Sequence, residues 1–175
     1  MQFNSTLPIY RVSAQMSVDV STQKLWKLIS TPENLNLCHP YCKKNTVQKW
    51  GGLGAKDTLE YYNGLTLYRE FIEWNEGQGY TLIIGKKDVA TARVTWQINA
   101  LSEETAVLSI GIELLPDVAL RRYVPWLRGL IRRFYFIPKM QHYIHNVVKG
   151  FKYYAEHETP VTKNQFGYNA MFSVK

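Results

Sequence analysis

The stretch Val12-Ser-Ala-Gln-Met-Ser-Val-Asp-Val-Ser-Thr-Gln-Lys-Leu-Trp-Lys-Leu-Ile-Ser-Thr-Pro-Glu-Asn-Leu-Asn-Leu-Cys-His-Pro40 carries the decision about the fold. Val12, Ala14, Met16, Val18 and Val20 alternate with polar or charged neighbours, the period of two expected of a half-buried strand. Ser21 stands where a side-chain oxygen would cap a helix over Thr22–Ser30, whose Leu25, Trp26, Leu28 and Ile29 share one face. Thr31-Pro-Glu-Asn-Leu35 restarts a second short helix, with Pro32 in the first turn, where its missing N–H costs nothing. A strand, two short helices and then His39-Pro40 make an uncommon opening for a domain.

Outward from this stretch, the chain turns to strands. The spacing predicts strands near Thr46–Trp50, Asp57–Tyr62, Thr66–Trp74, Tyr80–Gly85, Thr91–Ile98 and Ala106–Leu114. Asn63-Gly64 is a strong hairpin signal between the second and third of these. From Val118 the period becomes helical. Pro125 and Pro138 divide the region into helices expected over Pro125–Ile137 and Pro138–Glu156, with Val118–Val124 as a lead-in. Met140, Ile144, Val147, Phe151 and Tyr154 form the apolar stripe of the last helix. The expected organisation is one domain over 1–157, with 118–137 a basic amphipathic insertion, followed by a polar tail over 158–175. The fold class is α+β: seven antiparallel strands curve around a long C-terminal helix. Such a sheet needs a cover, and only the last helix is long enough to provide one.

At this point the chain resembles the START-related helix-grip superfamily (SRPBCC), which includes birch-pollen-allergen-like proteins and the polyketide cyclase and lipid-transport families. The resemblance rests on Val18-Asp-Val-Ser21, Leu25-Trp-Lys-Leu-Ile-Ser30, Thr31-Pro-Glu-Asn-Leu35, the paired strands ending near Trp96 and Ile112, and the helix through Phe151 and Tyr154. It covers about residues 9–156, and its motifs are mostly structural. It departs from the pattern in the proline-cut basic stretch and in the tail. What it implies is an apolar cavity between sheet and helix that holds a lipid, sterol, polyketide or other hydrophobic small molecule, without a cofactor. The wall is expected from Met16, Trp96, Ile98, Ile110 and Ile112 on the sheet and Ile144, Val147 and Phe151 on the helix.

Charge adds a second expectation. The net charge is +7, yet residues 118–155 carry eight basic residues and no acid, whereas the rest holds thirteen basic and fourteen acidic residues. Any electrostatic partner should meet this segment. A helical projection puts Arg121, Arg128 and Arg132 on one side and Leu120, Tyr123, Leu127, Leu130, Ile131 and Phe134 on the other, with Trp126 at the boundary. A basic face joined to a bulky apolar one is the pattern of a helix lying on anionic lipid, although any surface helix is amphipathic. Arg121, Arg128, Arg132 and Trp126 are the expected membrane contacts. Helix-turn-helix, zinc-finger and RNP-like signatures are missing, so nucleic acid is not an expected partner.

Other chemistry is weaker. Cys38-His-Pro-Tyr-Cys42 with His142 and His145 invites a metal, but the cysteine spacing is wrong for zinc and none is expected. Two cysteines make no disulfide framework, and with no signal-peptide pattern and no apolar run of 18 residues the expected setting is the cytoplasm, peripheral to the inner face of the membrane. Thr66–Trp74 alternates Leu67, Arg69, Phe71 and Glu73 against Tyr68, Glu70, Ile72 and Trp74, so either face brings charge. Arg69, Glu70 and Glu73 are therefore the candidate polar cavity groups, weighed against a charged strand end in water. Two alternatives to a binding protein stay open: a cyclase or dehydratase-like enzyme in the same cavity, and an interaction protein acting through its basic surface. A histidine or acid beside a tyrosine in the cavity would favour chemistry, and an all-apolar wall would favour carriage.

Overall fold

A computed structural model describes residues 1–175. β1 (Tyr10–Val18) is followed by α1 (Thr22–Ser30) and α2 (Leu35–Cys38). Then come β2 (Cys42–Lys49), β3 (Lys56–Tyr61), β4 (Thr66–Asn75), β5 (Gly79–Lys86), β6 (Val89–Ala100) and β7 (Ala106–Leu114). The sheet order is β1-β7-β6-β5-β4-β3-β2, all antiparallel, so six strands run as a meander and the first strand docks beside the last. Ser21 does cap α1, its Oγ accepting the Lys24 N–H at 3.3 Å. The buried Asn34 side chain then donates to the Leu28 and Ile29 carbonyls at 3.1 and 2.7 Å, holding α2 against the open end of α1.

The C-terminal half contains α3 (Pro116–Ala119), α4 (Pro125–Ile131) and α5 (Ile137–His157). α4 and α5 do not separate at Pro138. A π-helical turn over Arg132–Phe136 joins them, with the Ile137 N–H donating to the Arg132 carbonyl. Proline cannot donate to the carbonyl four residues back and its ring crowds that turn. The wider turn just before Pro138 absorbs the misfit, and the helix continues.

α5 packs on the concave face of the sheet with Met140, Tyr143, Ile144, Val147, Val148 and Phe151 buried. Its close approach to α2 depends on Gly150: a Cβ there would lie 2.1 Å from the Cys38 carbonyl oxygen. Glycine in a helix interior costs about 1 kcal/mol relative to alanine, and the return is that the His39 loop sits directly on α5. The tail after α5 also packs down. The Val161 and Asn164 N–H groups donate to the Leu37 and Pro40 carbonyls, and Phe172 is buried.

Candidate functional site

A cavity of ≈ 560 Å³ lies between the sheet and α5. Strand register explains where it begins. Met16, Leu108 and Ile98 form one rung across β1, β7 and β6. None of the three borders the cavity, because this end of the sheet is filled core. One step along, Trp96 lies opposite Ile110, and then Val94 opposite Ile112 and Ala92 opposite Leu114. These three rungs all line the cavity. It therefore starts at Trp96 and extends toward the end of β7 that leads into the helical region. Of the wall expected from sequence, Trp96, Ile110, Ile112, Ile144 and Val147 border the cavity. Met16, Ile98 and Phe151 do not. Phe151 packs edge-on against Trp96 at 4.7 Å and forms the floor behind it.

One side of this apolar chamber is polar. Arg69 is only 5% exposed and borders the cavity, whereas Glu70 and Glu73 do not. The strand alternation fails here for a local reason. A bulge between Phe71 and Glu73 shifts the register of β4 on β5, turning Glu73 out and Trp74 toward the aromatic core. Glu70 faces outward, where it pairs with Lys56 at 3.3 Å and with the Met1 ammonium at 2.6 Å. Arg69 meets the fully buried Asp57, directly opposite on β3, in a two-pronged ion pair, its Nε donating to Oδ1 at 2.6 Å and its Nη2 to Oδ2. Burial disfavours the guanidinium charge, yet the Asp57 carboxylate more than compensates and holds the Arg69 pKa above its ordinary value.

Beside this pair sit three side chains that sequence reasoning missed. His39, Tyr61 and Tyr143 are buried, border the cavity and form a hydrogen-bonded chain. His39 Nε2 lies 3.0 Å from the Tyr143 hydroxyl, which lies 2.9 Å from the Tyr61 hydroxyl. The Tyr41 N–H donates to His39 Nδ1 at 3.1 Å. Burial, assisted by the Arg69 charge, pushes the His39 pKa down to about 3, so the ring is neutral at pH 7. With Nδ1 an acceptor, the ring proton is on Nε2 and is donated to Tyr143. Burial raises both phenol pKa values, so the hydroxyls stay protonated. In sequence, only the position of His39 at a helix end and the richness in tyrosine hinted at this chain.

The exposed lining residues Asn63, Lys86, Arg122, Tyr135 and Ala170 mark the mouth. The tail closes part of it. Asn63 Nδ2 donates to the Met171 carbonyl at 2.8 Å, and the Phe172 ring packs on Tyr143 and Tyr61 at 4.3 and 4.7 Å. The helical region borders the other part through Leu120, Tyr123 and Ile131. Here the basic face expected from the projection is not the outer face. Arg128 turns back to donate to the Tyr123 and Arg121 carbonyls at 2.8 and 3.0 Å. Arg132 reaches Asp117 at 3.4 Å and lies over the Tyr10 ring at 4.6 Å. Both are half-buried, because carbonyls left bare before α4 and a lone carboxylate recruit them. What faces water is apolar: Trp126 75%, Phe134 71%, Leu130 53% and Val124 51% exposed. Arg121, Arg122 and Arg133, also exposed, flank this patch.

The metal-like motif comes apart in space. Cys38 and Cys42 are buried free thiols, and burial raises both pKa values, that of Cys42 to about 12. His142 and His145 lie on the exposed side of α5, and no three His, Cys, Asp or Glu side chains converge. No helix is long and apolar enough to cross a membrane.

No protein-family model matches the sequence, and no curated protein matches it either. Solved structures do share its shape. A protein from Thermus thermophilus aligns with a TM-score of 0.65 at 15% identity, over 83% of this chain and 97% of its own. The Aha1 dimer protein of Colwellia psychrerythraea aligns with a TM-score of 0.62 at 9% identity, over 85% and 97%. Norcoclaurine synthase of Thalictrum flavum, solved in complex with dopamine and hydroxybenzaldehyde, aligns with a TM-score of 0.55 at 12% identity, over 83% and 85%. At such identities the likeness is one of fold, and together with the seven-stranded sheet gripping α5 it gives this chain a helix-grip fold.

Proposed function

We propose that the protein binds a hydrophobic small molecule or lipid in the cavity between sheet and α5, and exchanges it at an anionic membrane surface. The observation that carries this reading is the cavity itself: ≈ 560 Å³, with 26 hydrophobic residues among the 32 that line it. Apolar walls of this kind supply affinity, and a few polar groups orient the ligand. Norcoclaurine synthase shows that a helix grip of this shape accommodates small aromatic molecules. The membrane part rests on the exposed Val124, Trp126, Leu130 and Phe134 beside a mouth bordered by Arg122 and Lys86. Apolar side chains flanked by Arg121, Arg122 and Arg133 suit insertion at an anionic headgroup boundary.

His39 beside Tyr143 and Tyr61 favours a second reading, an enzyme of the cyclase or dehydratase kind. Its weakness is the lack of a free base. His39 Nδ1 is occupied by the Tyr41 N–H, and Asp57 is held by Arg69. The groups that remain donate hydrogen bonds and accept no proton at neutral pH, which suits holding a ligand better than deprotonating one.

Two measurements test the proposal. Native mass spectrometry of gently purified protein, followed by solvent extraction, is expected to show a stoichiometric apolar adduct or, after delipidation, uptake of added apolar dye. A protein that comes empty and takes up no dye overturns the binding reading. Sedimentation with vesicles containing a third anionic lipid is expected to capture the native protein, and Trp126→Ser/Leu130→Ser/Phe134→Ser to stay in solution. Equal capture of both overturns the membrane reading.

A further inference from the structure

The proton count at the buried polar side of the cavity constrains what it can hold. His39 Nε2–H, Tyr61 O–H and Tyr143 O–H are three donors, and they share only two hydrogen bonds, at 3.0 and 2.9 Å. The Tyr41 N–H on Nδ1 places the ring proton on Nε2, so one bond is Nε2–H to the Tyr143 oxygen. The other runs between the phenols in one direction or the other. In either direction one phenolic O–H is left over, and both phenols border the cavity. A buried donor left without an acceptor is destabilising. Beyond these two bonds neither hydroxyl has another protein partner, and Phe172 covers both rings.

The same side is electrically balanced. Arg69 and Asp57 are a closed pair of opposite charges, and His39 is neutral. An anionic group placed at this side would therefore leave water without finding an unpaired cation, since Lys86 and Arg122 stand at the exposed mouth. A neutral acceptor would pay far less and satisfy the spare hydroxyl.

We infer that the cavity is built for a neutral, largely apolar ligand that places one carbonyl-type oxygen on the spare phenolic proton of the Tyr61–Tyr143 pair. The inference rests on the binding function proposed above and adds the chemical class of the ligand. The two tyrosines act interchangeably. Either tyrosine alone keeps a free phenolic proton, and removing both frees the His39 Nε2–H that Tyr143 had accepted, so only replacement of all three donors abolishes the site.

Three probes of one size separate the possibilities: 2-acetylnaphthalene, 2-ethylnaphthalene and 2-naphthoate, titrated calorimetrically into the delipidated native protein at pH 7. The ketone is expected to bind about five- to tenfold more tightly than the hydrocarbon, the worth of one net hydrogen bond, and naphthoate at least about a hundredfold more weakly than the ketone. The bound ketone is expected to show a C=O stretch below its value in alkane, read on the native protein without any substitution. His39→Leu/Tyr61→Phe/Tyr143→Phe, which removes all three donors, is expected to bind ketone and hydrocarbon equally, with hydrocarbon affinity retained as the check on folding. Equal affinities in the native protein with an unshifted stretch overturn the inference while the cavity reading stands. A ketone preference that survives the triple substitution, or preferred naphthoate, also overturns it. Failure of both neutral probes to bind overturns the cavity reading, and the inference falls with it.

Discussion

Around Arg69 and around Trp126 the chain uses the same ingredients, arginine and aromatic rings, and arrives at opposite environments. Arg69 is dehydrated, paired to Asp57 and flanked by Tyr61, Tyr143 and His39, whose polar atoms are bonded to one another. Trp126, Leu130 and Phe134 stand mostly in water, and Arg122 and Arg133 lie over the neighbouring Tyr123 and Phe134 rings at 4.9 and 5.8 Å, Arg122 also donating to the Tyr123 hydroxyl at 2.9 Å. The difference is one of partners. A buried charge or phenol persists only where the backbone register delivers its complement. An exposed tryptophan persists where its partner is outside the chain. The proposed function assigns a ligand's polar end to the first region and the membrane surface to the second.

The hardest way to break this contrast is to leave Arg69 unpaired. Asp57→Ala should cost about 3–5 kcal/mol, because the guanidinium stays buried without its carboxylate. Asp57→Leu/Arg69→Met, which removes both charges, should cost far less than the single change. Urea denaturation of the two variants checks this, and equal losses would show that the pair is not dehydrated as described.

Next comes pH. The unfolded chain binds a proton at His39 with the ordinary histidine value near 6.5, while in the folded protein burial lowers that value to about 3. Between these pH values the unfolded state holds the extra proton, so stability falls as pH falls, by up to about 1.4 kcal/mol per pH unit from this residue. The slope is about half of this at pH 6.5 and vanishes about one pH unit above it. His39→Gln should flatten the urea-midpoint profile between pH 6.5 and the acid limit. An unchanged profile would mean that the ring is reached by water.

The smallest effect should come from the other region. Trp126→Ser and Phe134→Ser are expected to change stability by no more than about 0.5 kcal/mol, since neither ring is packed. A loss several times larger would show that these rings support the fold. The contrast with the Asp57 pair would then have to be redrawn.

The missed polar site shows how far local pattern reaches. Asn63-Gly64 announced a hairpin, but its register depends on loop length. The loop has three residues, Tyr62 to Gly64, closed by the Tyr61 N–H on the Leu65 carbonyl, with Gly64 at φ +83°. That length puts Asp57 opposite Arg69. A two-residue loop would slide the pairing by one and turn every side chain of one strand to the other face. Similarly, the Glu73 expectation failed at a bulge, and the expected basic face failed because Arg128 and Arg132 found local acceptors. A projection assumes a straight helix with nothing beside it.

Taken by itself, the sequence determined the order of elements, the class of the fold, the capped α1, the apolar stripe of α5 and the concentration of charge in 118–155. Each depends on periodicity or composition within a short window, where neighbours along the chain are the only neighbours that matter. Only the tertiary structure decided where the core stops and the cavity begins, which charge is paired inside, and that the tail brings Phe172 onto Tyr61 and Tyr143. Those outcomes join His39, Asp57, Tyr61, Arg69, Tyr143 and Phe172, residues distributed over most of the chain. They are set by register and by the close approach at Gly150, and no local window contains either.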